Sequence, residues 1–217
     1  MGKSGQTRGE IRLKMMKRPL NIAAVLLTQI GLCCADPIEF DFKDPKGVNN
    51  IVFKLDAPLE SINGTATGIS GKVTFDPQNP SAVKGKIVLA TSSLHLGNPM
   101  QKEHLHGANW MDVGAYPEII FEVSGTKNVK SAADVTTADV SGKMTIKSTT
   151  KEMVVPVKLT YLKDKLKARS GKEGDLLVLR SNFMVKRSDF GIGGPKMEEK
   201  VANDIELNLS LAGSAPR

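Results

Sequence analysis

Along most of the chain apolar and polar residues alternate with a period of two, and no other feature constrains its fold as strongly. Ile205, Leu207, Leu209 and Leu211 interleave with Glu206, Asn208 and Ser210. Val155, Val157, Leu159 and Tyr161 stand against Lys158 and Thr160, and Val83, Ile87 and Leu89 against Lys84 and Lys86. Successive side chains of a strand point to opposite faces, so each run has one dry and one wet face, the signature of an antiparallel sheet. Such runs occur at about 38–42, 49–55, 64–75, 82–91, 118–124, 134–147, 152–163, 176–186 and 203–211. Turn residues separate them at Asp44-Pro45-Lys46-Gly47, Asp76-Pro77-Gln78-Asn79-Pro80, Ser148-Thr149-Thr150-Lys151 and Gly191-Ile192-Gly193-Gly194-Pro195. Short turns between strands predict a meander in which consecutive strands are neighbours.

One segment breaks the period. Asn98 as N-cap, Pro99 in the first helical position, Gln101 three residues after the cap and Gly107 as a stop predict a short helix near 99–106. Nothing marks a second domain or an internal repeat. Strands of this kind close as a barrel or pack as a sandwich, and periodicity does not choose between the two. Length does favour one. Runs such as 64–75 and 134–147 are long for a sandwich and suit an elongated, tilted barrel with an internal cavity, whose natural ligand is apolar or amphiphilic.

The N-terminus has a different character. Lys14, Lys17 and Arg18 precede the apolar stretch from Asn21 to Leu32, and Cys33-Cys34-Ala35 supplies small residues. This pattern predicts a leader and signal peptide over 1–35, cleaved after Ala35, with a retained anchor as the alternative and Met15 or Met16 as a more typical start. The leader holds six of the 30 basic and one of the 23 acidic residues, so the formal charge of +7 falls to a surplus of two over residues 36–217. So small a surplus argues against nucleic acid as a partner. Both cysteines leave with the leader, which removes disulfides, thiol nucleophiles and thiolate metal sites and suits a periplasmic or secreted protein of a bacterial envelope.

Specific motifs begin at Ser93-Leu94-His95-Leu96-Gly97 and continue with Glu103-His104-Leu105-His106, Asn109-Trp110-Met111-Asp112-Val113 and Tyr116-Pro117-Glu118-Ile119-Ile120-Phe121. Further blocks are Ser70-Gly71-Lys72-Val73-Thr74-Phe75-Asp76, Gly142-Lys143-Met144-Thr145-Ile146 and Lys186-Arg187-Ser188-Asp189-Phe190-Gly191-Ile192. In order and spacing these blocks resemble the YceI-like family of bacterial lipid- or polyisoprenoid-binding proteins over about 40–213. The resemblance implies a lipocalin-like antiparallel β-barrel of about eight strands, exported to the periplasm, that holds an isoprenoid or similar tail. The chain departs from the family pattern at Asp56, where His is frequent, at Lys102 for Asp, at His106 for Arg, and at Trp110 and Met111 for paired Phe. These changes leave the barrel outline intact but alter charge around any head group.

The alternation nominates Phe53, Phe75, Leu89, Phe121, Met144, Val157, Phe183 and Leu207 as inward-facing cavity residues, and Trp110 joins them from the helix region. A filled core uses the same residue types. His104 and Arg187 are the head-group candidates. For Arg187 the competing role is to tie down the glycine-rich loop, and His104 is expected to pack at the helix end with His106 facing solvent. His104 and His106 stand two apart, on nearly opposite sides of a helix, so they do not form a chelating pair there, and no metal site is expected. Lys158, Lys163, Lys165, Lys167, Arg169 and Lys172 read as a solvated hairpin tip, or as a transient contact with an anionic membrane. Ser188 lacks a nucleophile elbow, and no acid–base pair or phosphate loop is visible. The expectation is a noncatalytic, monomeric or homodimeric protein with no cofactor, whose guest is an amphiphilic lipid, an isoprenoid or a quinone. A structural or protein-binding envelope module with a filled barrel, or promiscuous sequestration of hydrophobic compounds under stress, is the alternative.

Overall fold

A computed structural model of the chain describes residues 36–56, 59, 61–194 and 200–217. The expected leader over 1–35 lies outside the described residues. The elements are β1 (Ile38–Asp41), β2 (Asn50–Asp56), β3 (Ser61–Ala66), β4 (Ile69–Phe75), β5 (Lys84–Ala90), β6 (Leu94–Leu96) and α1 (Pro99–His106), followed by β7 (Glu118–Ala132), β8 (Val135–Ile146), β9 (Thr149–Leu162), α2 (Leu166–Ser170), β10 (Gly174–Lys186) and β11 (Asp204–Pro216). All pairings are antiparallel between strands adjacent in the meander. β1 pairs with β4, β2 with β3 and β3 with β6, so β1/β2, β3/β4 and β5/β6 are each one long strand with a kink. β11 then meets both β2 and β1, closing an eight-stranded antiparallel barrel.

The alternation explains the wall directly. Along β8, Thr136, Ala138, Val140, Gly142, Met144 and Ile146 are buried, while the residues between them are partly or fully exposed. Several aromatic side chains need glycine beside them. The position of a Cβ on Gly64 lies 2.1 Å from the ring of Phe53, its cross-strand partner, and one on Gly142 lies 2.5 Å from the ring of Phe121. Each ring therefore lies flat across the neighbouring strand.

The kinks need their own polar partners. Between β1 and β2 the Asp44 carboxylate accepts N–H bonds from Lys46, Val48 and Asn49 at 3.1, 2.8 and 2.9 Å and pairs with Arg169 at 2.9 Å. Burial pushes this carboxyl up, but the three amides and the guanidinium outweigh it and hold the group below the usual carboxylate range. Buried Asn49 bridges the interrupted ladder. Its Nδ2 donates to the carbonyls of Phe42 and Ala212 at 3.0 Å each, and its Oδ1 accepts the Ala212 N–H at 2.8 Å.

The helix near 99–106 forms as the capping chemistry requires. Asn98 Oδ1 accepts the N–H groups of Met100 and Gln101 at 2.9 and 3.2 Å, and Gly107 ends the helix. Three local differences from the sequence reading stand out. The run 64–75 bends at Thr67-Gly68, where a Cβ on glycine comes within 2.8 Å of Ser93. β6 continues β5 past a turn at Thr91–Ser93 and pairs with β3, beyond the run that the alternation ended at 91. The basic stretch before β10 contains α2, anchored by buried Leu166, with Arg169 engaged by Asp44 and Lys167 by Glu173.

Candidate ligand cavity

One end of the barrel is filled. Phe40, Phe42 and Leu177 are fully buried and Phe75 nearly so, and the Tyr161 ring meets Phe40 edge-on at 6.3 Å and Phe75 at 6.4 Å between centroids. Tyr161 donates its hydroxyl to buried Asp175 at 2.9 Å, and Asp175 also accepts the Asp164 N–H and the Arg217 guanidinium. Burial raises the Tyr161 phenol to about 12, reinforced by the Asp175 carboxylate it faces. For Asp175, burial acts upward, but its hydrogen bonds and Arg217 together leave it lowered.

Above this plug the barrel is hollow. An elongated cavity of about 180 Å³ runs between the sheet walls toward α1. Apolar cavities of roughly 150 Å³ stay dry and accept an aromatic hydrocarbon, so this one is large enough for a guest. Its lining is hydrocarbon, Met thioether and Trp110, with one hydroxyl, that of Ser181. That hydroxyl is already committed, donating to the Pro156 carbonyl at 2.6 Å. Among the described residues the cavity surface therefore presents no ionisable group and no nucleophile free to act.

Phe53, Leu89, Trp110, Phe121, Met144, Val157, Phe183 and Leu207 all line this space. Phe75 does not. It ends β4 at the filled end, where it packs beside Tyr161 as part of the plug, and this corrects its assignment to the lumen. Sequence reasoning missed Ser181, although it stands two residues before Phe183 and so shares its inward face by the alternation.

At the helix end a second, more polar depression of about 420 Å³ adjoins the cavity and shares Phe53, Leu55, Leu105 and Trp110 with it. Gln101, His104 and Lys200 bring the polar groups to this mouth. The residues 45–212 match the model of the YceI-like domain, about three quarters of the chain. The chain belongs to the YceI-like family. A UPF0312 protein of Pseudomonas paraeruginosa is 31% identical over 155 residues, 69% of this chain and 72% of the relative. The crystal structure of Burkholderia cenocepacia BcnA superposes with a TM-score of 0.60 at 21% identity, covering 76% of this chain and 95% of that one. A polyisoprenoid-binding domain from Saccharophagus degradans, implicated in plant cell wall breakdown, superposes with a TM-score of 0.59 at 9% identity, covering 83% and 100%. At these identities the two structures establish a shared fold.

Within this YceI-like barrel the two head-group candidates sit differently. His104 is exposed at the mouth, whereas His106 is half-buried with Nε2 2.7 Å from the Leu94 carbonyl, the reverse of the expected arrangement. The helix turns its last residue inward against β6. Arg187 is buried and does not line the cavity. Its guanidinium donates to the carbonyls of Ile192, Gly194 and Ala202 and lies 5.9 Å from the centroid of Trp110. It ties down the glycine-rich loop and backs the tryptophan, the structural alternative that sequence reasoning had weighed for it. His95 is exposed on β6.

Proposed function

We propose that this protein holds the hydrocarbon tail of an amphiphilic lipid, an isoprenoid or quinone in class, inside the barrel, for transport, storage or sequestration in a bacterial envelope. The observation that carries this reading is the cavity lining, which among the described residues offers carbon and sulfur surface and no free hydrogen-bonding side chain apart from the indole of Trp110. A guest gains from such a surface only by hydrophobic transfer, roughly 0.8 kcal/mol per methylene, or about 10 kcal/mol gross for a dozen carbons before ordering costs. The polar head rests at the mouth beside Gln101, His104 and Lys200, where water and hydrogen-bonding groups remain. Support for an isoprenoid in particular comes from the polyisoprenoid-binding domain that shares the fold. A lining without acid, base or nucleophile supports binding rather than catalysis. Export rests on the basic–apolar–small pattern of residues 14–35.

Native mass spectrometry of the protein purified from an envelope fraction, followed by solvent extraction, tests the reading. A stoichiometric isoprenoid or quinone adduct is the expected result. A bare mass that does not shift on incubation with isoprenoid lipids refutes it and leaves a barrel that binds no lipid.

A further inference from the structure

The barrel wall is not equally closed all round. β10 and β11 pair from Gly174 opposite Pro216 to Lys186 opposite Asp204, and β8 and β9 from Val135 opposite Thr160 to Ile146 opposite Thr149. Between β9 and β10 the ladder stops after Lys158 opposite Arg180, leaving 149–157 and 181–186 unpaired with each other. Pro156 explains where it stops. Its carbonyl turns toward β10, accepting the Ser181 hydroxyl at 2.6 Å. The N–H and C=O of a strand residue face the same neighbour, so the donor missing from proline is missing on this side.

The wall is also thin here. Val157 and Ser181 line the internal cavity and, from the other side, an outer trough that holds Asn128, Lys130, Asp139, Lys158 and Arg180. Continuing the register past Arg180 brings Val154 opposite Met184, and these two outward apolar side chains are 57% and 54% exposed. An exposed ion pair, Lys151 with Asp189 at 3.8 Å, is the contact at the far end of the gap. At the helix end, by contrast, Trp110 and Ile192 stand over the cavity, and Arg187 fastens both.

We propose that the β9–β10 seam is a second, lateral opening of the cavity, through which the hydrocarbon chain of the ligand enters and leaves, with Val154 and Met184 as its outer lips. The inference rests on the reading that an apolar chain occupies the cavity. Parting 149–157 from 181–186 breaks no backbone ladder, whereas parting any fully paired neighbours does.

A lock across the seam tests it. In the full chain carrying Cys33→Ser and Cys34→Ser, the Val154→Cys/Met184→Cys pair is oxidised, and retinol exchange is followed by energy transfer from Trp110. The locked form is expected to take up and release retinol roughly tenfold or more slowly than its reduced form, both rates falling together. A Thr145→Cys/Thr150→Cys lock, placed where two hydroxyls lie 2.9 Å apart on β8 and β9, is expected to leave the rates unchanged. Equal rates for the locked and reduced seam overturn the proposal, as does equal slowing by the control lock. Where the thiols do not close, Pro156→Val decides, since it restores a donor facing β10. Slower exchange supports the seam, and unchanged exchange overturns it. Failure of the reduced protein to bind retinol at all, together with a bare mass in the native measurement, refutes the cavity reading instead.

Discussion

The two ends of the barrel use the same inward-facing residue types and reach opposite results. At the filled end Phe40 on β1 and Phe75 on β4 meet the ring of Tyr161 on β9, with Phe42 buried just beyond β1. Phe42 fits because Gly213 gives way, a Cβ there lying 2.7 Å from the ring. In the upper part of the barrel the inward side chains from opposite walls do not meet and leave about 180 Å³ between them. A cavity therefore does not require different residue types from a core; it requires that the inward side chains of opposite walls stop short of one another.

The sharpest test of that contrast removes a ring from each end. Phe40→Ala is expected to cost about 3–5 kcal/mol in denaturant unfolding, since it opens a cavity in closed packing. Phe183→Ala borders space that is already empty, so its cost is expected to fall clearly below that range while ligand affinity changes. Equal losses at the two ends would break the comparison.

Next in size, Gly64→Ala drives a methyl into the Phe53 ring and is expected to cost about 1–3 kcal/mol by overpacking. Leu207→Trp instead fills the hollow. It is expected to weaken retinol binding by roughly tenfold, about 1.4 kcal/mol, with little loss of stability. A variant that binds as before would show that the guest sits elsewhere.

The plug also carries a pH signature. The Tyr161 phenol is raised to about 12, so its contribution is complete below its ordinary pKa near 10 and is lost as pH rises through about 12. Asp175 is lowered, so its contribution is present above the ordinary carboxylate pKa and is lost as pH falls through its folded value. Thermal melts of the parent and Tyr161→Phe are expected to differ most at neutral pH and to converge between about pH 10 and 12. A constant difference would mean that the phenol proton is not coupled to folding. The smallest effect is expected from Asp189→Asn, which removes an exposed ion pair and changes stability by less than about 1 kcal/mol.

Much of this was legible in the chain. Alternation marked the strands and their inward faces, and the caps at Asn98 and Gly107 marked α1. The departures share a cause. Phe75 has the same alternation as Phe53, yet one ends in the plug and the other beside the cavity, because the difference lies in which side chains face it from the other strands at its height. Arg187 and the histidines were placed by loop packing, and Asn49 by a broken ladder between strands 163 residues apart. Pro156 was the one signal left unread. A proline inside a strand pattern marks a place where a ladder stops, although only the folded barrel shows which neighbour it fails to meet.

The sequence by itself determined the antiparallel strands, which face of each is apolar, and where α1 begins and ends. These depend on residues within a few positions of one another, where side-chain period and capping chemistry act. Tertiary structure decided which apolar side chains meet an opposing layer and which meet empty space, and where the wall stays unpaired. Those outcomes depend on closure, because the residues facing one another across the lumen or the β9–β10 seam are brought together by the register of the whole meander.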